Sequence, residues 1–458
     1  MKFSKTHITT TLITSFALLT NAIDLEIGNK DSVCNAATDI TKGIMDYYLG
    51  IRENGTIGMF QQPYYWWESG LAFGGMIDTW KFCNNDTYVS IIQDAINAQK
   101  GPHNDFTDVT NQTDVEANDD QLFWGFTVME AAERDFPNNN DNDPSYAQMA
   151  LDVYNSMAPR WDSDNCGGGL RWQILSNMSG WDYKSTIATS GVYALAGRLA
   201  RYTNNDDFIK SADRILRWMK QSMFVYQKDD QDFYTVNDGA EIENGSCAVV
   251  NGAVWSYNFA TMIMGTAYLY NTTNGDSKWG NELDKFIGGV EHYMLNTTGN
   301  NVLFEYQCDQ WNRCNNDQRA FRAIVARVLG NVVQLAPNTG YASRAMKIIN
   351  DSAEGAAQAC SGGSDGKTCG INWGVNGWDG MYGLGEQIAA LEVIQNTLIE
   401  QVPAPCTEDT CGEDVDDDDN ISTIPVPTST RVFTDVHTKT HVETVTISTI
   451  DEVFYTGN

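Results

Sequence analysis

Glu68-Ser-Gly-Leu-Ala-Phe-Gly-Gly-Met76 mixes apolar and small residues with no polar stripe. A helix built from it must be packed on several sides, since a helix on a protein surface shows a single apolar stripe. Five more segments share this character, opening at Asp119, Thr186, Trp255, Arg319 and Asp379. Between them lie segments of the other kind. Phe208, Ala212, Ile215, Leu216 and Met219 fall at helical spacing behind an Asn205-Asp206-Asp207 entry, which reads as an amphipathic helix. Similar segments begin near Asp31, Asp86, Pro144, Asp276 and Thr339. Each kind therefore occurs six times, recurring roughly every 50 to 70 residues, and such a period is sought before domains are counted. Six helix pairs in a ring give an inner and an outer shell, an all-α (α/α)6 barrel. An open helical solenoid is the competing arrangement, and few strand-like runs argue for an all-β fold.

The ends of the 458-residue chain differ from this middle. Lys2 and Lys5, the apolar run Ile8 to Leu19 and Thr20-Asn21-Ala22 have the form of a secretory leader over residues 1–22. After Gln401, two prolines, the acidic run Asp416 to Asp419 and a Thr/Ser/Val-rich remainder read as a solvated stalk over 401–458. The single domain expected between them spans 23–400. Ten cysteines in a chain with a leader favour disulfides over metal ligation. Cys308/Cys314, Cys360/Cys369 and Cys406/Cys411 are close enough to close small loops, but spacing does not give connectivity. Nine Asn-x-Ser/Thr sequons beside a leader indicate a secreted glycoprotein. No stretch reaches the length of apolar sequence that a spanning helix needs.

A formal charge of −31 excludes binding to a nucleic-acid backbone, which requires clustered Lys and Arg. The chemistry points instead to Ala117-Asn118-Asp119-Asp120-Gln121-Leu122-Phe123-Trp124. With Asn118 as N-cap, both aspartates occupy a helix first turn, where the dipole favours carboxylates. Neighbouring Cα atoms are about 3.8 Å apart and side chains on a helix diverge by roughly 100°, so two carboxyl groups can sit about 5–5.5 Å apart. That is the separation used by retaining glycosidases. Repulsion between the two would raise one pKa and make it a proton donor. Ordinary helix capping accounts for the motif equally well. The aromatic run Tyr64-Tyr65-Trp66-Trp67, together with Trp124, adds context, because four consecutive rings are hard to bury on one helix and some should face sugar in a cleft. Glu68, Asp238 and Asp379 are weaker acid candidates, more structural than chemical.

Other chemistries lack their residues. Of five histidines, one lies in the leader and two in the stalk, so neither a zinc cluster nor a Ser-His-Asp triad is supported. Gly362-Gly-Ser-Asp-Gly366 matches G-x-S-x-G but has no preceding strand. No metal or other cofactor is expected.

The blocks Tyr64 to Met76, Asn118 to Gly125 and Val254-Trp255-Ser-Tyr257-Asn resemble glycoside hydrolase family 76, in particular its fungal cell-wall members, over roughly residues 30 to 400. The resemblance implies an (α/α)6 barrel and a retaining mechanism on α-1,6-mannan. It also implies a role in cleaving the mannose core of GPI glycans and transferring the attached protein to wall β-glucan. By the same match Asp119 is the nucleophile and Asp120 the general acid/base, with Trp66, Trp67, Trp124, Asp238, Trp255 and Tyr257 as substrate-binding residues. Fungal members usually end in an apolar GPI-attachment tail. This sequence ends Asp451-Glu-Val-Phe-Tyr-Thr-Gly-Asn458, so secretion or wall trapping is expected rather than membrane anchoring. Two other readings remain open: a mannan-binding wall protein without catalysis, and an inverting (α/α)6 glycosidase pairing Asp120 with Glu68 or Asp379.

Overall fold

The computed structural model describes residues 22–412, apart from 110–116, 139–143, 249, 297–299 and 312. The leader up to Asn21, the sequons at Asn111 and Asn420, and the chain from 413 onward lie outside those residues. Twelve α-helices follow in order: α1 Lys30–Met45, α2 Trp66–Cys83, α3 Val89–Gln99, α4 Asn118–Glu133, α5 Tyr146–Met157, α6 Thr186–Thr203, α7 Asp206–Gln221, α8 Ser256–Thr272, α9 Ser277–Tyr293, α10 Asn316–Leu335, α11 Gly340–Ala359 and α12 Leu384–Gln395. Nine strands of two or three residues lie in the connections: β1 Tyr183–Ser185, β2 Val225–Tyr226, β3 Thr235–Val236, β4 Gly239–Glu241, β5 Val250–Asn251, β6 Leu295–Asn296, β7 Val302–Leu303, β8 Cys360–Gly362 and β9 Thr368–Cys369.

Burial separates the two helix types as the sequence predicts. In α7 one stripe is buried, formed by Phe208, Ala212, Ile215, Leu216, Trp218 and Met219. In α2 every residue from Trp66 to Thr79 is buried. The even-numbered helices pack side by side, α2 on α4, then α6, α8, α10 and α12, and α12 returns to α2. That return closes the ring and excludes the open solenoid. The odd-numbered helices form the outer shell. Small residues set the inner spacing: a Cβ on Gly197 of α6 would lie 2.7 Å from the carbonyl oxygen of Gly265 on α8. No helix among the described residues is long and apolar enough to cross a membrane.

The lumen is plugged at one end by ions. Arg134 Nε bonds Asp78 at 2.8 Å and Glu130 at 2.9 Å, and Arg198 bonds Glu130 at 2.8 Å and also Glu133. Tyr268 donates to Glu133, and Arg327 pairs with Glu392. All six inner helices contribute, and every one of these side chains is buried. Burial alone would raise the Glu130 pKa, but Arg198 and Arg134 hold it down to about 2.

Five disulfides form: Cys34–Cys83, Cys166–Cys247, Cys308–Cys314, Cys360–Cys369 and Cys406–Cys411. The last corrects the expected domain end. Cys406 N–H donates to the Glu133 carbonyl at 2.8 Å and Glu408 N–H to the Tyr202 carbonyl at 3.0 Å. Residues 402–412 thus dock against the ends of α4 and α6 instead of starting a stalk at 401. The sequons differ in surroundings too. Asn54, Asn177 and Asn244 are exposed, whereas Asn271 spends its amide on Arg201 and the Leu335 carbonyl.

Candidate active site

All six inner helices begin at the open end of the barrel, so their positive dipole ends converge there. Four of them bring acids in the first turn: Glu68 on α2, Asp119 and Asp120 on α4, Asp317 on α10 and Glu386 on α12. At α8, buried Glu305 accepts from both the backbone N–H and the hydroxyl of Ser256.

The start of α4 lies one residue before the position expected. Ala117, extended at φ −109° and ψ 168°, is the N-cap, and Asn118 is already helical. Ala117 bridges to Gln173, and Asn118 N–H donates to the Trp172 carbonyl at 3.0 Å. The Asn118 side chain donates to Arg171 O at 3.0 Å and accepts from Arg160 at 2.7 Å. Asn118 therefore straps residues 171–173 to the helix rather than capping it. Asp120 turns back, its Oδ2 accepting the Ala117 N–H at 2.9 Å.

That strapped segment delivers a residue that no motif or spacing singles out. Trp172 Nε1 donates to both oxygens of Asp119, at 3.1 and 3.0 Å. Burial pushes the Asp119 pKa up to about 7, opposed by the Trp172 indole and the amides at the start of α4, with Asp317 adding to the rise. Trp172 N–H in turn donates to Tyr183 O at 2.8 Å, at the start of β1. In the small sheet ordered β1-β4-β5, Tyr183 pairs with Glu241 and Gly239 with Asn251. Asp238 Oδ2 accepts from Tyr183 Oη at 2.6 Å and from Asn251 Nδ2 at 3.2 Å, so the sheet forms one wall and fixes Asp238 on it.

The opposite side is aromatic and acidic. Tyr257 stacks on Phe321 with centroids 4.0 Å apart and planes 10° from parallel. Burial raises its phenol pKa, and the nearby charges of Asp238, Asp119 and Asp317 add to it. These groups therefore share one electrostatic environment. Trp67 Nε1 donates to Asp317 at 3.0 Å while its ring packs 4.5 Å from Phe123. Trp67 thus orients a carboxylate. Trp255, half-buried, is the N-cap of α8 and meets Phe321 edge-on. Tyr65, 53% exposed, faces solvent at the start of α2.

Two sequence expectations fail here. Trp124 is fully buried, stacked 5.3 Å from Phe106, and Trp66 packs beside it with its indole on Gln99. Neither offers a face to a sugar. Tyr65 precedes α2 as its extended N-cap and keeps its ring in solvent, whereas Trp66 is the first helical residue and turns into the core. The other acids are also committed. Glu68 is fully buried and caps α2 through the Tyr65 N–H at 2.7 Å. Asp379 accepts the N–H groups of Asn372 and Met381, and α12 begins only at Leu384. Among the described residues, the one cluster with metal-ligand spacing is Cys308, Asp309 and Cys314, whose cysteines form a disulfide.

Comparison with known proteins agrees with this architecture. The model of glycosyl hydrolase family 76 matches residues 32–409. The chain is 44% identical over 398 residues to mannan endo-1,6-alpha-mannosidase DFG5 of Saccharomyces cerevisiae, covering 87% of this chain and 85% of that one. It is 43% identical over 406 residues to mannan endo-1,6-alpha-mannosidase DCW1 of Candida albicans, covering 88% of each. The crystal structure of Dfg5 from Chaetomium thermophilum in complex with glucosamine superposes with a TM-score of 0.78 at 32% identity, covering 84% of this chain and 94% of that one. An alpha-1,6-mannanase from Salegentibacter, an inactive variant in complex with alpha-1,6-mannotetrose, shares the fold with a TM-score of 0.63 at 16% identity, covering 80% of this chain and 99% of that one. The family match runs from α1 into the docked Cys406–Cys411 loop and leaves no helix of the barrel outside it, so the chain belongs to glycosyl hydrolase family 76.

Proposed function

We propose that the protein is a retaining endo-α-1,6-mannosidase or transglycosylase of the fungal cell wall, with Asp119 as nucleophile and Asp120 as general acid/base. The observation that supports it best is the bidentate acceptance of the Trp172 N–H by Asp119. An indole can only donate, so it favours the ionised carboxylate that must attack the anomeric carbon. Asp120 gives its proton to the departing glycosidic oxygen as the glycosyl–Asp119 ester forms. It then takes a proton from water or from an acceptor hydroxyl, which displaces Asp119 and completes hydrolysis or transfer. Tyr257, Asp238, Asp317 and Trp255 border the space in which the mannosyl unit would sit. Donors of this linkage class include α-1,6-mannan and the mannose core of a GPI glycan, and wall β-glucan is the proposed acceptor for transfer. The proposed chain plan is a leader through Ala22, the barrel with its docked end to Gly412, and an acidic, Thr/Ser-rich stalk beyond.

The test follows product anomers by NMR on a short α-1,6-mannoside. An initial α product is expected. An initial β product would mean inversion, and a glycan-binding protein with no turnover would be a lectin. Asp119→Asn should lower kcat by at least about 10³-fold, the scale of losing a nucleophile, while the oligosaccharide still binds. Full activity in that variant removes Asp119 from the role.

A further inference from the structure

The connection between α11 and α12 builds a second concave surface, and no residue of α4 or of the β1-β4-β5 sheet lines it. Its volume is about 710 Å³, within the range of ligand pockets. One wall is the β8–β9 hairpin, closed across its base by Cys360–Cys369. Here the G-x-S-x-G match finds its structural place, since Gly362 and Gly363 lie in the hairpin and line the pocket. The Trp378 ring rests on Gly362, where a Cβ would come within 2.4 Å of Cδ2 and 2.5 Å of Cε2. Only glycine allows that contact. The indole N–H is fixed by the Met381 carbonyl at 2.6 Å, and Asp379 ties down the same loop through Asn372 and Met381. Trp378 is thus immobilised on one side while 41% of it stays exposed.

The remaining lining is neutral: Ala22, the last residue of the proposed leader, adds a methyl group, and the rest is polar. Gln358 and Asn376 present exposed amides and Gly377 bare backbone at φ +107°, while the buried Ser361 hydroxyl donates to the Gln358 carbonyl at 3.0 Å. No charged side chain lines the pocket among the described residues. A phosphate or nucleotide would need cations there, and an amphipathic peptide would need an apolar groove. A fixed flat ring beside uncharged donors and acceptors suits instead the apolar face and hydroxyls of a pyranose. We propose that the Gly362–Trp378 pocket is a secondary carbohydrate-binding site for a neutral hexopyranose oligosaccharide, separate from the cleft at α4. It would hold a polysaccharide on the protein independently of bond cleavage.

Native gels containing soluble α-1,6-mannan or laminarin test this with the full chain. Wild type should be retarded by at least one polymer. Trp378→Ala should weaken that retardation about fivefold, the scale of one aromatic contact. Its kcat and KM on a short α-1,6-mannoside should stay unchanged. Asn376→Ala, at an exposed loop position, should shift retardation the same way by less, and it serves as the readout should Trp378→Ala fail to fold. The polymer whose retardation falls identifies the sugar. The site is overturned if wild type is not retarded by either polymer, or if both variants are retarded like wild type. An equal loss of retardation and of kcat/KM also overturns it, since the surface would then belong to the cleft. Failure of the catalytic reading looks different: turnover is absent while retardation responds to Trp378.

Discussion

Asp119 is held between opposing effects. Burial pushes its pKa up to about 7, and the Trp172 indole works against that rise. Attack needs the ionised form, so kcat/KM should increase with pH and level off above about 7. Trp172→Phe keeps a ring and deletes the donor, which lets the pKa climb further. The rising limb should move to higher pH, with kcat/KM at pH 6 down about tenfold for one hydrogen bond to a charged group; an unmoved limb would separate Trp172 from the ionisation. Stability carries the opposite sign. The folded-state pKa lies above the ordinary 3.8, so this residue's stabilising contribution is complete below about pH 4 and lost as pH rises through about 7. Asp119→Asn should therefore raise Tm at pH 8 and change it little at pH 4, measured by calorimetry. The acid pair was legible because adjacency alone places both residues on one turn. Trp172 was not, because 53 residues and no periodicity separate it from Asp119. Only backbone pairing with Asn118 and Tyr183 brings it there.

At the scale of elements, most inner helices carry charges that suit their direction. Acids at the N-termini meet the positive dipole ends at the mouth. Arg134, the C-cap of α4, and Arg198, near the end of α6, meet the negative ends at the floor. Arg198 is the sharper test of that floor. It bonds Glu130 and Glu133, and all three are fully or almost fully buried. Arg198→Met leaves two buried carboxylates short of their partner and should cost about 3–5 kcal/mol in denaturant unfolding. Turnover by the folded protein should survive, since the floor lies far down the barrel from Asp119; a kcat loss without a stability loss would refute this division. The sequence showed the helices through their periodicity but not this network. A Glu or Arg inside an apolar segment reads the same whether it snorkels outward or meets a partner in the lumen. The aromatic run misled for a related reason: spacing along a helix fixes relative direction, and only packing decides which direction is inward.

For the whole molecule, the distinction between ring and solenoid turns on one seam. α2 and α12 are the first and last inner helices, and side chains stitch them directly. Thr79 Oγ1 donates to Gln395 Oε1 at 2.7 Å, and Gln395 Nε2 donates to the Gly75 carbonyl at 3.1 Å. The repeat in the sequence supplied six pairs but could not say whether the sixth meets the first, because nothing in a period records its closure. A solenoid is held by nearest neighbours, so damage at a terminal repeat frays that repeat alone. In a closed ring the same damage is felt by every pair. Gln395→Leu removes both bonds from a buried site and should cost about 1–3 kcal/mol. With disulfides intact, far-UV dichroism and tryptophan fluorescence should shift together to lower denaturant, with the slope of the transition preserved. Were fluorescence and dichroism to separate, or the slope to fall, the seam would be a local contact and the barrel would unfold pair by pair.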